Sequence, residues 1–141
     1  MLGASFIVMY FVMFLNVDKV SHIYINMMRV YMTVLMICPM ALIMLFVMRK
    51  MYQNRKINTF ITLTAVFLFV LAFLMMRNQT FIGDRQFMKG MIPHHSIAVL
   101  VSNNAGIEDP ELKKLSEEII KTQEEEIAQM KNILERLKRS E

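Results

Sequence analysis

Two adjacent histidines, His94 and His95, follow two methionines, Met88 and Met91, in the stretch MKGMIPHHSIAV. Imidazole nitrogen and thioether sulfur together form a ligand set that suits copper. Met91 precedes His94 by three residues and His95 by four, so on a helix it shares a face with either histidine. The residue types and spacing therefore favour a metal site that suits copper over a structural polar cluster, with His94 and His95 as primary ligands and the methionines supplying sulfur.

Two antiparallel helices are predicted to position these ligands. One begins near Asp84, and the pair Asp109-Pro110 predicts the N-cap and first residue of a second that continues to about Lys138. Roughly 58 residues in two helices bury too little core to stand alone. We therefore expect this hairpin, residues 84–141, either to complete a four-helix bundle by dimerisation, as a homo-oligomer, or to pack against the membrane part.

Pro93 lies inside the first predicted helix, beside the histidines. It cannot donate the backbone hydrogen bond that would reach the carbonyl of Lys89. A kink or bulge that aims both imidazoles is the expected result.

The second predicted helix supplies the facing partners. Its apolar seam is predicted to contain Ser116, Ile119, Gln123, Glu126, Met130, Ile133 and Leu137, and the apolar face is widened by Leu115, Ile120, Ile127 and Leu134. A buried amide and a buried carboxylate are costly unless they are paired, hydrogen-bonded or ligating. Gln123 and Glu126 are therefore predicted to orient the imidazoles, as metal-bound histidines require. Met130 is a further sulfur ligand, and Asp84 and Glu126 are alternative ligands.

Hydrophobic residues make up 55% of the chain, and three apolar runs approach the roughly 20 residues that cross a bilayer as a helix. We expect a membrane domain, residues 1–77, and a linker, residues 78–83, before the helical domain. The expected spans are about 1–17, 28–48 and 57–76. Six methionines recur every fourth residue between Met28 and Met48. The interpretations are lipid-facing packing or a sulfur ladder for soft ions.

The basic residues are distributed unevenly along the chain. Residues 1–83 contain seven Lys or Arg and one Asp, whereas residues 84–141 contain nine Lys or Arg and eleven Asp or Glu. The slightly acidic helical domain argues against a nucleic-acid partner. Four of the basic residues lie in RKMYQNRK, residues 49–56, which the positive-inside rule places in the cytoplasm. The helical domain is then expected to face outward.

Two other functions remain open. A ferritin-like bundle with His and Glu ligands could hold iron or manganese and perform redox chemistry, although the chain has no Glu-x-x-His motif. Alternatively, the polar cluster could fix the register of a structural module that docks a membrane partner. Non-catalytic metal binding is favoured over an enzyme, and His22, near a predicted membrane boundary, is expected to be structural.

The segments GDRQFMKGMIPHHSIAV and DPELKKLSEEIIKTQEEEIAQM resemble the family of domains of unknown function numbered 305. The resemblance covers about Gly83 to Leu134. It implies the ferritin-like fold and periplasmic copper binding of the CopM-type proteins, in a membrane-anchored bacterial branch. It also implies copper tolerance or handling, with silver as a second ion, at the periplasmic or extracellular face of a bacterial cytoplasmic membrane. The matching positions are Asp84, Met88, Met91, His94, His95, Gln123, Glu126 and Met130.

Overall fold

The computed structural model describes residues 2–139, and its regular structure there is entirely helical, which confirms the predicted all-α class. One short 3-10 helix, Val20–His22, lies between the first two α-helices. The α-helices are α1 Leu2–Val12, α2 Met27–Val47, α3 Arg55–Arg77, α4 Asp84–Asn104 and α5 Pro110–Arg139.

The helices form two compact units. The first unit contains α1, α2 and α3. The second contains α4, α5 and the segment Met13–Asn26, which we call the N-terminal loop. The second unit thus combines a segment that precedes α2 in the sequence with the two helices that follow α3.

Two helices of the first unit, α2 and α3, are long and apolar enough to cross a membrane, and each has a mean hydropathy of 2.5 over its most apolar window. Only 22% of that window in α2 and 11% in α3 is buried. A core helix of a soluble protein would be mostly buried, whereas a helix in lipid exposes apolar side chains. Met32, Met36 and Met48 of the methionine row are among the exposed residues, as lipid-facing packing predicts.

The prediction of three spans is wrong. α1 has 11 residues, which gives a length of about 16 Å at 1.5 Å per residue, roughly half of a ~30 Å hydrocarbon core. The chain leaves the helix after Val12 and enters the N-terminal loop, so the predicted span at about 1–17 joins two different units. Met1 lies outside the described residues.

The end of α3 is held by local and non-local hydrogen bonds. Thr80 donates its backbone N–H to the Met75 carbonyl (2.9 Å), and Gln79, at φ 51°, donates to the Met76 carbonyl (3.3 Å). This pattern is a Schellman motif, which satisfies the last helical carbonyls. Tyr31 of α2 donates its hydroxyl to the Thr80 carbonyl (2.6 Å), so α2 also contacts the predicted linker.

Capping residues explain where α4 and α5 begin. Asp109 Oδ1 accepts the backbone N–H of Leu112 (2.8 Å), and Pro110 is the first residue of α5, as predicted. Gly83 precedes α4, so Asp84 is its first residue and not its N-cap. A carboxylate in the first turn still interacts favourably with the helix dipole.

The core of the second unit lies between α4, α5 and the N-terminal loop. Tyr24 of the loop packs against it, so the buried stripe of α5 faces two neighbours instead of one. Ile120 and Ile127 lie in the predicted apolar face of α5 and are half-buried and buried, whereas Ile119, also predicted in that face, is exposed. The core contains Met88, Ile92, Val99, Ile127 and Leu134, with Tyr24, Ile120, Met130, Ile133 and Leu137 packed around it.

Candidate metal site

α4 carries the two histidines and continues without interruption through Pro93. The Lys89 carbonyl, which loses its helical donor to Pro93, accepts a hydrogen bond from Nδ2 of Asn26 (3.2 Å). Asn26 is 2% exposed. The predicted bulge is not present in α4, and the N-terminal loop supplies the Lys89 carbonyl with a donor.

Ser96, directly after the histidine pair, is fully buried and holds the same loop. Its Oγ accepts the backbone N–H of Asp18 (2.8 Å) and lies 2.8 Å from Nδ1 of His22. His22 is buried, which fits its expected structural role. The loop therefore fixes the turn of α4 that presents His94 and His95.

His95 and Glu126 form a close side-chain contact between α4 and α5. Nδ1 of His95 lies 3.0 Å from Oε2 of Glu126, and the two side chains are 14% and 44% exposed. The contact does not have hydrogen-bond geometry, so the buried Nδ1 has no hydrogen-bond partner within residues 2–139. Gln123 donates from Nε2 to the same Glu126 oxygen (3.4 Å). The structure thus brings together three of the predicted site residues.

His94 occupies a different environment from its neighbour. Its side chain is exposed, and its ring centroid lies 6.0 Å from that of His95, with the ring planes at 61°. Successive helical residues point about 100° apart. One imidazole therefore faces α5 and the other faces solvent.

The predicted sulfur ligands divide into two groups. Met88 lies in the hydrophobic core, two turns or about 10 Å along α4 from His95. Met91 is partly exposed and lies one turn from His95. Three contacts set the antiparallel register of α4 and α5: Arg85 with Leu137, His95 with Glu126, and Ser102 with Ser116. In this register position 91 lies across from position 130, so Met91 and Met130 are better placed than Met88.

Asp84 is not brought to the histidines. It is exposed at the start of α4, eleven residues or about 16 Å before His95. Throughout residues 2–139, no group of three or more His, Cys, Asp or Glu side chains is positioned to hold a metal ion. A site here therefore depends on thioether sulfur in addition to imidazole.

Replacing Asn26 with alanine is expected to destabilise the second unit by about 1–3 kcal/mol, because the Lys89 carbonyl is left without its side-chain donor. Amide hydrogen exchange of α4 in the full detergent-solubilised chain measures the loss. The exposed Asn132→Ala on α5 is the matched control and should change the free energy of opening by less than about 0.5 kcal/mol. Equal exchange in both variants would contradict the role given to Asn26.

Burial lowers the pKa of His22 below its usual value of 6.5, and the nearby Lys131 and Lys19 lower it further, against smaller opposite effects of Asp18 and Glu124. The unfolded chain then binds more protons at this residue than the folded chain. Stability is expected to fall as the pH drops below about 6.5 toward the folded-state pKa. Thermal unfolding is measured at about pH 7.5 and about pH 5.5. The loss of stability at the lower pH should be larger in the wild type than in His22→Gln. An equal loss in both proteins would show that other titrating groups, and not His22, cause the loss of stability at low pH.

Comparison with known proteins extends the predicted resemblance. Residues 75–141 match the family described as Domain of unknown function (DUF305). Uncharacterized protein L153 of Acanthamoeba polyphaga mimivirus is 34% identical over 141 residues, covering 98% of this chain and 91% of the viral protein. No solved structure matches the chain. The ferritin-like architecture and the bacterial branch stay predictions. The chain belongs to the same family as the mimivirus protein, and its residues 75–141 are a DUF305 domain.

Proposed function

We propose that this chain is a membrane-anchored protein that binds Cu(I), with Ag(I) as a second soft ion, for copper tolerance or handling outside the cytoplasm. The contact between His95 and Glu126 carries the proposal. Two atoms that ligate one ion at about 2 Å lie roughly 3 Å apart, as His95 Nδ1 and Glu126 Oε2 do. The absence of hydrogen-bond geometry leaves that buried nitrogen in need of a partner, and a metal ion supplies one.

The neighbouring donors suit a soft ion. Met91 lies one turn from His95 and across from Met130, and His94 adds a second imidazole beside the first. Thioether and imidazole favour Cu(I). Glu126, held by Gln123, either orients the His95 ring or ligates directly.

The two apolar helices support membrane anchoring. Two successive spans, α2 and α3, return the chain to the side of the membrane that it left. The N-terminal loop before α2 and the helices α4 and α5 after α3 then share one side, as their hydrogen bonds require. Residues 49–56 on the other side contain four basic residues, so the second unit faces outward in this proposal.

The same contact favours a second candidate, a structural module. A His95–Glu126 pair across the hairpin could instead fix its register for docking to a membrane partner. This candidate predicts no stoichiometric copper and no dependence on sulfur.

A competition titration against a Cu(I) chelator, with elemental analysis, tests the proposal on the full detergent-purified chain. About one copper per chain is expected. Met91→Leu keeps the apolar volume but removes sulfur, and should lower the affinity about tenfold. The exposed Met51→Leu is the control and should bind like wild type. Failure to retain copper, or unchanged affinity in Met91→Leu, His94→Ala and His95→Ala alike, would contradict the proposal.

A further inference from the structure

A cavity of about 240 Å³ lies within the second unit, between the N-terminal loop and α5, and its lining combines apolar and charged side chains. Lys19, Ser21 and His22 line it from the loop, and Glu124 and Lys131 line it from α5. Its volume is several times the roughly 30 Å³ that a water molecule occupies in the liquid. The cavity therefore has room for a small polar group.

The two lysines of this cavity differ in their partners. Lys19 Nζ lies 3.5 Å from Glu124 Oε1 and 3.7 Å from Asp18 Oδ2. Lys131 Nζ contacts the neutral Ser21 Oγ at 3.5 Å, and no carboxylate of residues 2–139 lies within ion-pair distance of it. Lys131 thus directs its ammonium toward a hydroxyl at the cavity wall.

His22 lies in the same cavity wall as the two lysines. It is 6% exposed, and its pKa is lowered first by burial and then by Lys131 and Lys19, against opposite effects of Asp18 and Glu124. An anion between these groups would relieve the repulsion between the lysines and the imidazolium. Lysine ammonium binds phosphate as a point charge, and a hydroxyl can donate to a phosphate oxygen.

We propose that this cavity binds a phosphate group, held by Lys131 and the Ser21 hydroxyl, with His22 at its edge. The phosphate comes either from a soluble ligand or from the headgroup of an anionic membrane lipid. Glu124 and Asp18 share Lys19, so Lys19 is a secondary contact. The site uses none of the proposed copper ligands, and it goes beyond the proposed copper function.

The full chain, purified in detergent with a metal chelator present, tests the proposal through the NMR signal of the His22 ring. Titration with inorganic phosphate is one arm, and nanodiscs of phosphatidylcholine with or without phosphatidylglycerol are the other. A saturable shift with phosphate identifies a soluble ligand, and a shift only with phosphatidylglycerol identifies a lipid. Binding should also raise the pKa of His22, because a nearby negative charge favours the imidazolium.

Matched variants decide whether the cavity is responsible. Lys131→Gln should weaken the binding at least about tenfold, Lys131→Arg should restore most of it, and Lys121→Gln, exposed on the same helix, should leave it unchanged. Glu124→Gln should strengthen it by removing a negative charge from the cavity wall. No shift in either arm, an equal shift with acetate, or binding that persists in Lys131→Gln would overturn the proposal. Because the chelator removes metal, failure here is distinct from failure of the copper proposal.

Discussion

Replacing His95 with alanine is expected to lower the affinity for Cu(I) more than about 100-fold, since loss of a partner of a ligand already costs about 10- to 100-fold. His95 is the imidazole that faces α5, and its Nδ1 lies 3.0 Å from Glu126 Oε2. The variant therefore removes the nitrogen on which the proposed site is centred. Chelator competition with the full chain in detergent measures the change.

His94→Ala is the matched control on the same turn of α4. His94 is exposed and can be replaced by a water molecule or another donor, so we expect a smaller loss, of about tenfold. Amide exchange of α4 and α5 without metal should be similar in both variants. A His95→Ala variant that opens the hairpin more easily but binds copper normally would favour the structural interpretation instead.

Replacing Leu134 with alanine is expected to destabilise the second unit by about 2–5 kcal/mol, because a buried leucine loses apolar contacts and leaves a cavity. Leu134 is 1% exposed and lies in the core with Ile92 and Ile127. Amide hydrogen exchange of α5 in the full chain measures this loss, because it reports local opening of the second unit separately from the membrane helices.

Leu115→Ala makes the same chemical change on the same helix, where the side chain is 50% exposed. Its cost should stay below about 0.5 kcal/mol. Similar exchange in the two variants would show that the buried stripe of α5 is not the one described. A larger effect at Leu115 would indicate that a second molecule covers this part of the helix.

Local signals in the sequence predicted the helices well. The Asp109-Pro110 pair determines where α5 begins, and a capping bond and a fixed proline φ act within one turn. Apolar runs of sufficient length identified α2 and α3. The length of the apolar run gave a wrong prediction for α1, because the apolar residues continue past Val12 whereas the helix ends there.

Non-local contacts could not be predicted in this way. Asn26 reaches the Lys89 carbonyl across 63 residues of sequence, and Asp18 reaches Ser96 across 78. Pro93 indicated a carbonyl in need of a donor, but nothing in the sequence identifies Asn26 as that donor. The sequence also could not show which part of the predicted apolar face of α5 is covered: Ile127 and Leu134 are buried, whereas Leu115 and Ile119 are exposed.

The candidate site was predicted in part. Helical spacing predicts that Met91 shares a face of α4 with His95, and the structure brings Glu126 to 3.0 Å from the histidine, although its side chain is 44% exposed and not buried as predicted. Sequence pattern alone could not show that Met88 belongs to the core, since a methionine suits an apolar interior and a soft metal equally. Asp84 carries a carboxylate that could bind a metal, but the distance along α4 separates it from His95.

X-ray absorption at the copper edge of the loaded full chain tests the central claim most directly, because it reports which atoms surround the metal. The proposed site predicts nitrogen and sulfur neighbours together in the wild type. Met91→Leu should reduce the sulfur contribution, and Met51→Leu should preserve it. Copper with only nitrogen and oxygen neighbours in the wild type, or a sulfur contribution unchanged in Met91→Leu, would contradict a site built on His95 and Met91.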